Sequence, residues 1–218
     1  MKPSSTRPDR TRRRAAIGVV AGLAAIAATT ALALTRNGDA RPAPLGPEGI
    51  PIPNAVPLAP PRRVKPGQRI DGIRCQASEQ VAVHVHAHLT IEVRGRPRRV
   101  AAGIGIAPPY EVAATPAGRF VAGGSCFMWL HTHAADGIVH IESPVPRTYT
   151  LGEFFDVWGQ PLTRHRIGPA RGAVTAFLDG RVHTGDPRTI PLRPHAQIEL
   201  EVDRPLVAPA HVAFPPDL

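Results

Sequence analysis

Three histidines occupy alternate positions of one short stretch, His84, His86 and His88. Three more, His131, His133 and His140, follow downstream with Glu142 close behind. Neutral imidazole is the commonest protein ligand for zinc and a good one for copper, nickel and iron. Residues i and i+2 on one strand face lie about 6.5–7 Å apart at the backbone, so their rings can converge on one ion with a third ligand from a neighbouring strand. Three such ligands leave the open position a catalytic site needs, and a fourth closes it, as suits storage or structure. Glu142 offers itself as that fourth ligand, as an orienter of an imidazole, or as a general base. Six histidines exceed one tetrahedral site, so some must orient other ligands, serve a second ion, or be structural. His165, His183, His195 and His211 lack ligand spacing and read as structural.

The elements that must position these groups are strands. Residues 81–93 alternate: Val83, Val85, Ala87, Leu89, Ile91 and Val93 form an apolar face, and His84, His86, His88, Thr90 and Glu92 form the other. A half-buried antiparallel strand with its polar face in water accounts for the alternation but not for three successive histidines, since solvated faces are usually Thr, Lys, Arg, Glu and Ser. A turn at residues 94–97 is expected to return the chain as a partner strand over residues 98–106. The second cluster reads as a β-hairpin around Asp136-Gly137, a type I′ dipeptide, with Phe127, Trp129, His131 and His133 on one face. A two-residue loop sets His133 opposite His140 and His131 opposite Glu142, whereas a four-residue loop sets His131 opposite His140. Both registers keep the histidines and Glu142 on one face.

The motifs His-Ala-His-Leu, Cys-Phe-Met-Trp-Leu-His-Thr-His, Gly-Ile-Val-His-Ile-Glu-Ser-Pro and Thr-Leu-Gly-Glu-Phe-Phe-Asp-Val-Trp-Gly-Gln-Pro-Leu run from roughly residue 70 to residue 203. With them the chain resembles a family of uncharacterised, membrane-anchored bacterial proteins. The resemblance implies an extracytoplasmic setting and assigns no reaction. The family pattern has an Asp directly after His-Thr-His. Here Ala134-Ala135-Asp136 stands instead, so any role of that Asp would pass to Asp136.

The N-terminus sets the compartment. Residues 1–14 form a basic tail, and residues 15–34 run for 20 residues without a charge, enough to cross a bilayer core of about 30 Å. Basic residues before the run predict a signal anchor with a cytoplasmic N-terminus and everything after Leu34 outside. A cleaved signal peptide, with Ala31-Leu32-Ala33 as the cleavage region, is the competing reading. Residues 35–67 read as a semi-rigid linker, since roughly a third of residues 41–67 is proline.

Of the chain's 26 Lys+Arg and 17 Asp+Glu, residues 1–67 carry 11 and 3, leaving 15 and 14 for residues 68–218. The +9 net charge therefore belongs to the tail and linker, and a near-neutral domain argues against a nucleic-acid partner. The membrane, through the N-terminal helix, is the partner the sequence indicates, and protein partners are left open, a proline-binding protein on the linker being the minor alternative. Two cysteines, Cys75 and Cys126, fall in the exported part, where the default is a disulfide. A thiolate ligand at Cys126 is the rival, opposed by alternation that turns Cys126 and Met128 away from His131 and His133.

Leu151, Phe154, Phe155 and Trp158 predict one short helix capped by Thr150 and ended by Gly159. Further strands are expected at residues 173–178, 181–183 and 197–202. The fold class is mainly β, a single antiparallel sandwich or barrel-like domain over residues 68–205 with one short helix, followed by an irregular tail over residues 206–218. Three functions remain in play. One is binding and handling of copper or zinc at the cell surface. Another is a metalloenzyme, hydrolytic or oxygen-using, with Glu142 as base. The third is a structural envelope domain without metal.

Overall fold

The structure, a computed structural model, describes Met1 and residues 43–218. The basic tail, the apolar run and the start of the linker lie outside the described residues. Among the described residues no helix is long and apolar enough to cross a membrane.

Among the described residues the fold is mainly β with one α-helix. Its main sheet runs in the order Arg181–His183, Val174–Leu178, Gln197–Val202, Val83–Val93, Ile138–Ser143, Leu130–His131. Every pairing is antiparallel except that of Gln197–Val202 with the central Val83–Val93 strand, which is parallel. Of the return expected over residues 98–106, only Pro97–Arg98 pairs with the central strand; Gly103 and Gly105, both at positive φ, break the rest into turns. A second, smaller sheet joins Arg69–Ile70, Ile73–Gln76, Cys126–Met128 and Ile106–Ala107. The chain passes from this sheet to the main one at Trp129, whose indole N–H donates to Gln76 Oε1.

Cys75 and Cys126 form a disulfide across 51 residues, which removes the thiolate reading.

The apolar face expected for the central strand is core: Ala87, Leu89 and Ile91 pack with Leu130, Val139, Ile141, Ile198, Leu200 and Val202. The helix Leu151–Trp158 adds Leu151, Phe154, Phe155 and Trp158 to the same core. Its start is the expected capping box, with Thr150 and Glu153 satisfying each other's backbone amides, and Gly159 at φ 76° ends it.

The opposite face is not in water. Glu199 and Glu201 accept the backbone N–H groups of Ala210 and Val207, and Gln197 exchanges hydrogen bonds with the backbone of Val212. The C-terminal segment thus lies, without regular structure, across the polar side of the sheet. Residues 43–67 are not a free spacer either. Ile50, Leu58 and Val64 are buried, Leu58 and Arg99 bond through their backbones, and Glu48 reaches the histidines. The proline-rich stretch forms isolated bridges, at Leu45 with Pro51 and Pro57 with Arg99, and no continuous strand, yet it buries its few aliphatic side chains.

Candidate metal centre

Register builds the site. On the polar face His86 lies opposite His140 and His84 opposite Glu142, while His140 faces His131 on its other side. Directly opposed residues bring their side chains closest, so His86, His140 and His131 form one row across three strands. The His86 and His140 ring centroids are 4.5 Å apart, and those of His131 and His140 are stacked at 5.2 Å.

The pairing of His131 with His140 is the one a four-residue loop would give. The strand nevertheless stops at His131, and six residues separate it from Ile138. Asp136 therefore does not form a type I′ turn: its Oδ1 accepts the N–H of Ile138. Gly137 is required here, because at φ 95° a Cβ would meet Leu89 O at 2.6 Å and the His88 ring at 2.8 Å. His133 reaches the cluster from this loop, stacked on Phe120 at 4.8 Å.

Hydrogen bonds fix the tautomers. His131 donates from Nδ1 to Met128 O at 2.9 Å, and His133 donates from Nδ1 to Val121 O at 2.6 Å. Each neutral ring has thereby used its only proton. Their two Nε2 atoms nonetheless face each other at 3.1 Å, lone pair toward lone pair, an arrangement that a shared cation would relieve. Burial and the charge of His140 push both below the ordinary histidine value, and His133 adds to the effect on His131, so a proton is a poor occupant. A metal ion fits: bonds of about 2.0–2.1 Å at tetrahedral angles set ligands about 3.3 Å apart.

The other donors show the same spacing. His86 Nε2 is 3.1 Å from His140 Nδ1. Glu142 Oε1 is 3.2 Å from His140 Nδ1, 3.3 Å from His84 Nε2 and 3.8 Å from His131 Nε2. His140 turns Nδ1 inward because its Nε2 donates to Glu48 Oε1 at 2.7 Å, the carboxylate–histidine pairing that orients metal ligands and raises their basicity.

Electrostatics point the same way. Burial works against charge on His140, yet its bonds to Glu142 and Glu48 raise it to about 9. Burial would raise Glu48 and Glu142, but the same bonds and the His140 charge hold both below the carboxylate range. Burial and the Glu48 charge push Asp136 up to about 8, so that it stays protonated beside Glu48. Burial, with the charges of His140 and His84, lowers His86 to about 4.

A cleft of about 550 Å³ opens onto this cluster. Glu48, Glu79, His84, His86, His133, His140 and Glu142 line it, joined by Pro215, Asp217 and Leu218, and among the described residues no Lys or Arg does. His84 stands at the rim with its side chain 46% exposed.

The structure thus brings His84, His86, His131, His133, His140 and Glu142 together. His88 stands apart: buried, it donates from Nε2 to Asp136 O at 2.9 Å and pins the loop. Two groups, Glu48 and Glu79, escaped the sequence reading as parts of the site. Glu48 lies 92 residues from His140 in a proline-rich stretch with no periodic signal. Glu79, in the bend before the central strand, is 3.4 Å from His133 Nε2. Asp136, entertained only through the family pattern, acts beside Glu48 and not as a ligand.

The chain matches no protein-family model, no curated protein and no solved structure.

Proposed function

We propose that this is a membrane-anchored, extracytoplasmic β-sandwich domain that binds a transition metal ion through its strand histidines and Glu142 and handles that metal at the cell surface. The observation that carries the reading is the 3.1 Å approach of His131 Nε2 to His133 Nε2 with both Nδ1 protons already committed to carbonyls. The donors are all nitrogen and oxygen, which suits Cu(II) and Zn(II), with Cu(II) the higher in intrinsic affinity. The disulfide and the topogenic N-terminus agree with an oxidising compartment outside the membrane. The resemblance to membrane-anchored proteins supports the same placement.

A second reading, a metalloenzyme, draws on the cleft beside the ligands, which gives a substrate somewhere to sit. There the ion would supply hydrolytic or oxygen chemistry. Glu142, the expected base, would instead serve mainly as a ligand, since its Oε1 faces three imidazoles.

Elemental mass spectrometry of the natively exported chain, purified without chelator or affinity tag, tests the proposal. Near-stoichiometric copper or zinc, lost in a folded His131→Ala/His133→Ala variant, is expected. A metal-free wild type that gains no affinity for either ion on titration would sink both metal readings.

A further inference from the structure

The ligand atoms do not gather round one point. They resolve into two sets, His84, His86, His140 and Glu142, and His131, His133, His140 and Glu142, each with its donor atoms within 4.8 Å of one another. The sets join only through His140 and Glu142. His140 cannot serve both, because Nε2 is bound to Glu48 and the remaining Nδ1 lies 3.1 Å from His86 Nε2. Glu142 can serve both: Oε1 faces His84, His140 and His131, and Oε2 is buried without a protein partner. What His140 withholds from the second set, Glu79 supplies, with Oε1 3.4 Å from His133 Nε2 and 3.8 Å from His131 Nε2.

We infer that the cluster is a two-ion centre, one ion held by His84, His86 and His140, the other by His131, His133 and Glu79, with the Glu142 carboxylate bridging them. The inference rests on the metal-binding reading and deepens it. Charge supports it. Buried Glu48 and Glu142 and the more exposed Glu79 converge on a cleft wall to which, among the described residues, no Lys or Arg contributes, and buried carboxylates need cations. Two divalent ions would offset these carboxylates together with Asp217, which lines the same cleft. Carboxylate-bridged pairs of this kind hold their ions about 3.5–4 Å apart, a span one bridging carboxylate covers with its two oxygens.

The test is stoichiometry. The exported full chain, stripped with chelator, is titrated with Zn(II) and desalted, and bound metal is counted. Two ions per chain are expected in the wild type and one each in His84→Ala/His86→Ala and Glu79→Ala/His133→Ala. One ion in the wild type would overturn the pair while leaving the metal-binding reading intact. None would overturn both. As a readout that needs no variant, the Cu(II)-loaded wild type should show a half-field spin-resonance signal from coupled ions. A purely isolated Cu(II) spectrum at full loading would contradict the bridge.

Discussion

Glu48 and His140 meet at 2.7 Å although 92 residues separate them. The bond commits the His140 proton to Nε2 and leaves Nδ1 for a metal. It also ties the proline-rich segment to the middle strand of the site, so Glu48 is both a packing element and the group that sets a ligand's tautomer.

Glu48→Gln keeps an oxygen acceptor at that position and removes the charge. It should lower affinity at the His84, His86 and His140 set about 10–100-fold, the usual effect of losing a carboxylate behind a ligating histidine. Chelator competition measures it. Unchanged affinity would mean the bond is structural only.

Proton release follows from the same residue. Without metal, His140 holds a proton on each nitrogen up to about pH 9, because its bonds to Glu142 and Glu48 outweigh its burial. An ion at Nδ1 must displace the inner proton, so at pH 7 binding at this set should release about one proton. Calorimetry in buffers of different ionisation enthalpy counts it. No buffer dependence would place the ion elsewhere.

Acid should destabilise the metal-free domain in a defined window. Burial lowers His86 and His88 to about 4, so the unfolded chain, with ordinary histidines near 6.5, takes up these protons first. Their contribution is complete above pH 6.5 and is lost as pH falls toward 4, roughly 3 kcal/mol for fully buried His88. His140 runs the opposite way: its raised value stabilises fully below pH 6.5 and fades as pH climbs to 9. Asp136, raised to about 8, runs the same way as His140 and adds to the alkaline loss. Denaturant midpoints from pH 4 to 9, without metal, should therefore fall on the acid side, where His86 and His88 together outweigh Asp136, and fall again as pH rises from 6.5 to 9. A flat acid limb would contradict burial of neutral His88.

Much of this was legible in residue order. Alternation alone placed His84 and His86 on the face opposite Ala87 and Leu89, and Thr150 with Glu153 announced the helix start. The register of His131 against His140 was one of two readings, because Asp-Gly favours a tight turn. The loop is longer because His88 and the carbonyl of Leu89 crowd Gly137 and Val121 draws His133 aside. Glu48 and Glu79 were illegible because nothing local marks them. Their partners are 92 and 54 residues away, and long-range contacts leave no periodicity. His88 shows the converse, since ligand spacing placed it in a cluster from which the Asp136 carbonyl removes it.

The Cys75–Cys126 disulfide closes a 51-residue loop and ties the small sheet that leads into His131. Chain entropy for such a loop predicts a loss of about 4 kcal/mol on reduction. Denaturant unfolding with and without reductant measures it, and a shift below about 1 kcal/mol would contradict that entropic account.

The central claim is that imidazoles from three strands and one loop ligate a metal. X-ray absorption at the copper and zinc edges of the natively exported protein tests it most directly. The account predicts an edge with nitrogen and oxygen neighbours at about 2.0–2.1 Å, outer-shell scattering from at least two imidazoles, and no sulfur near 2.3 Å. An absent edge, or a shell of oxygen alone without imidazole scattering, would contradict it.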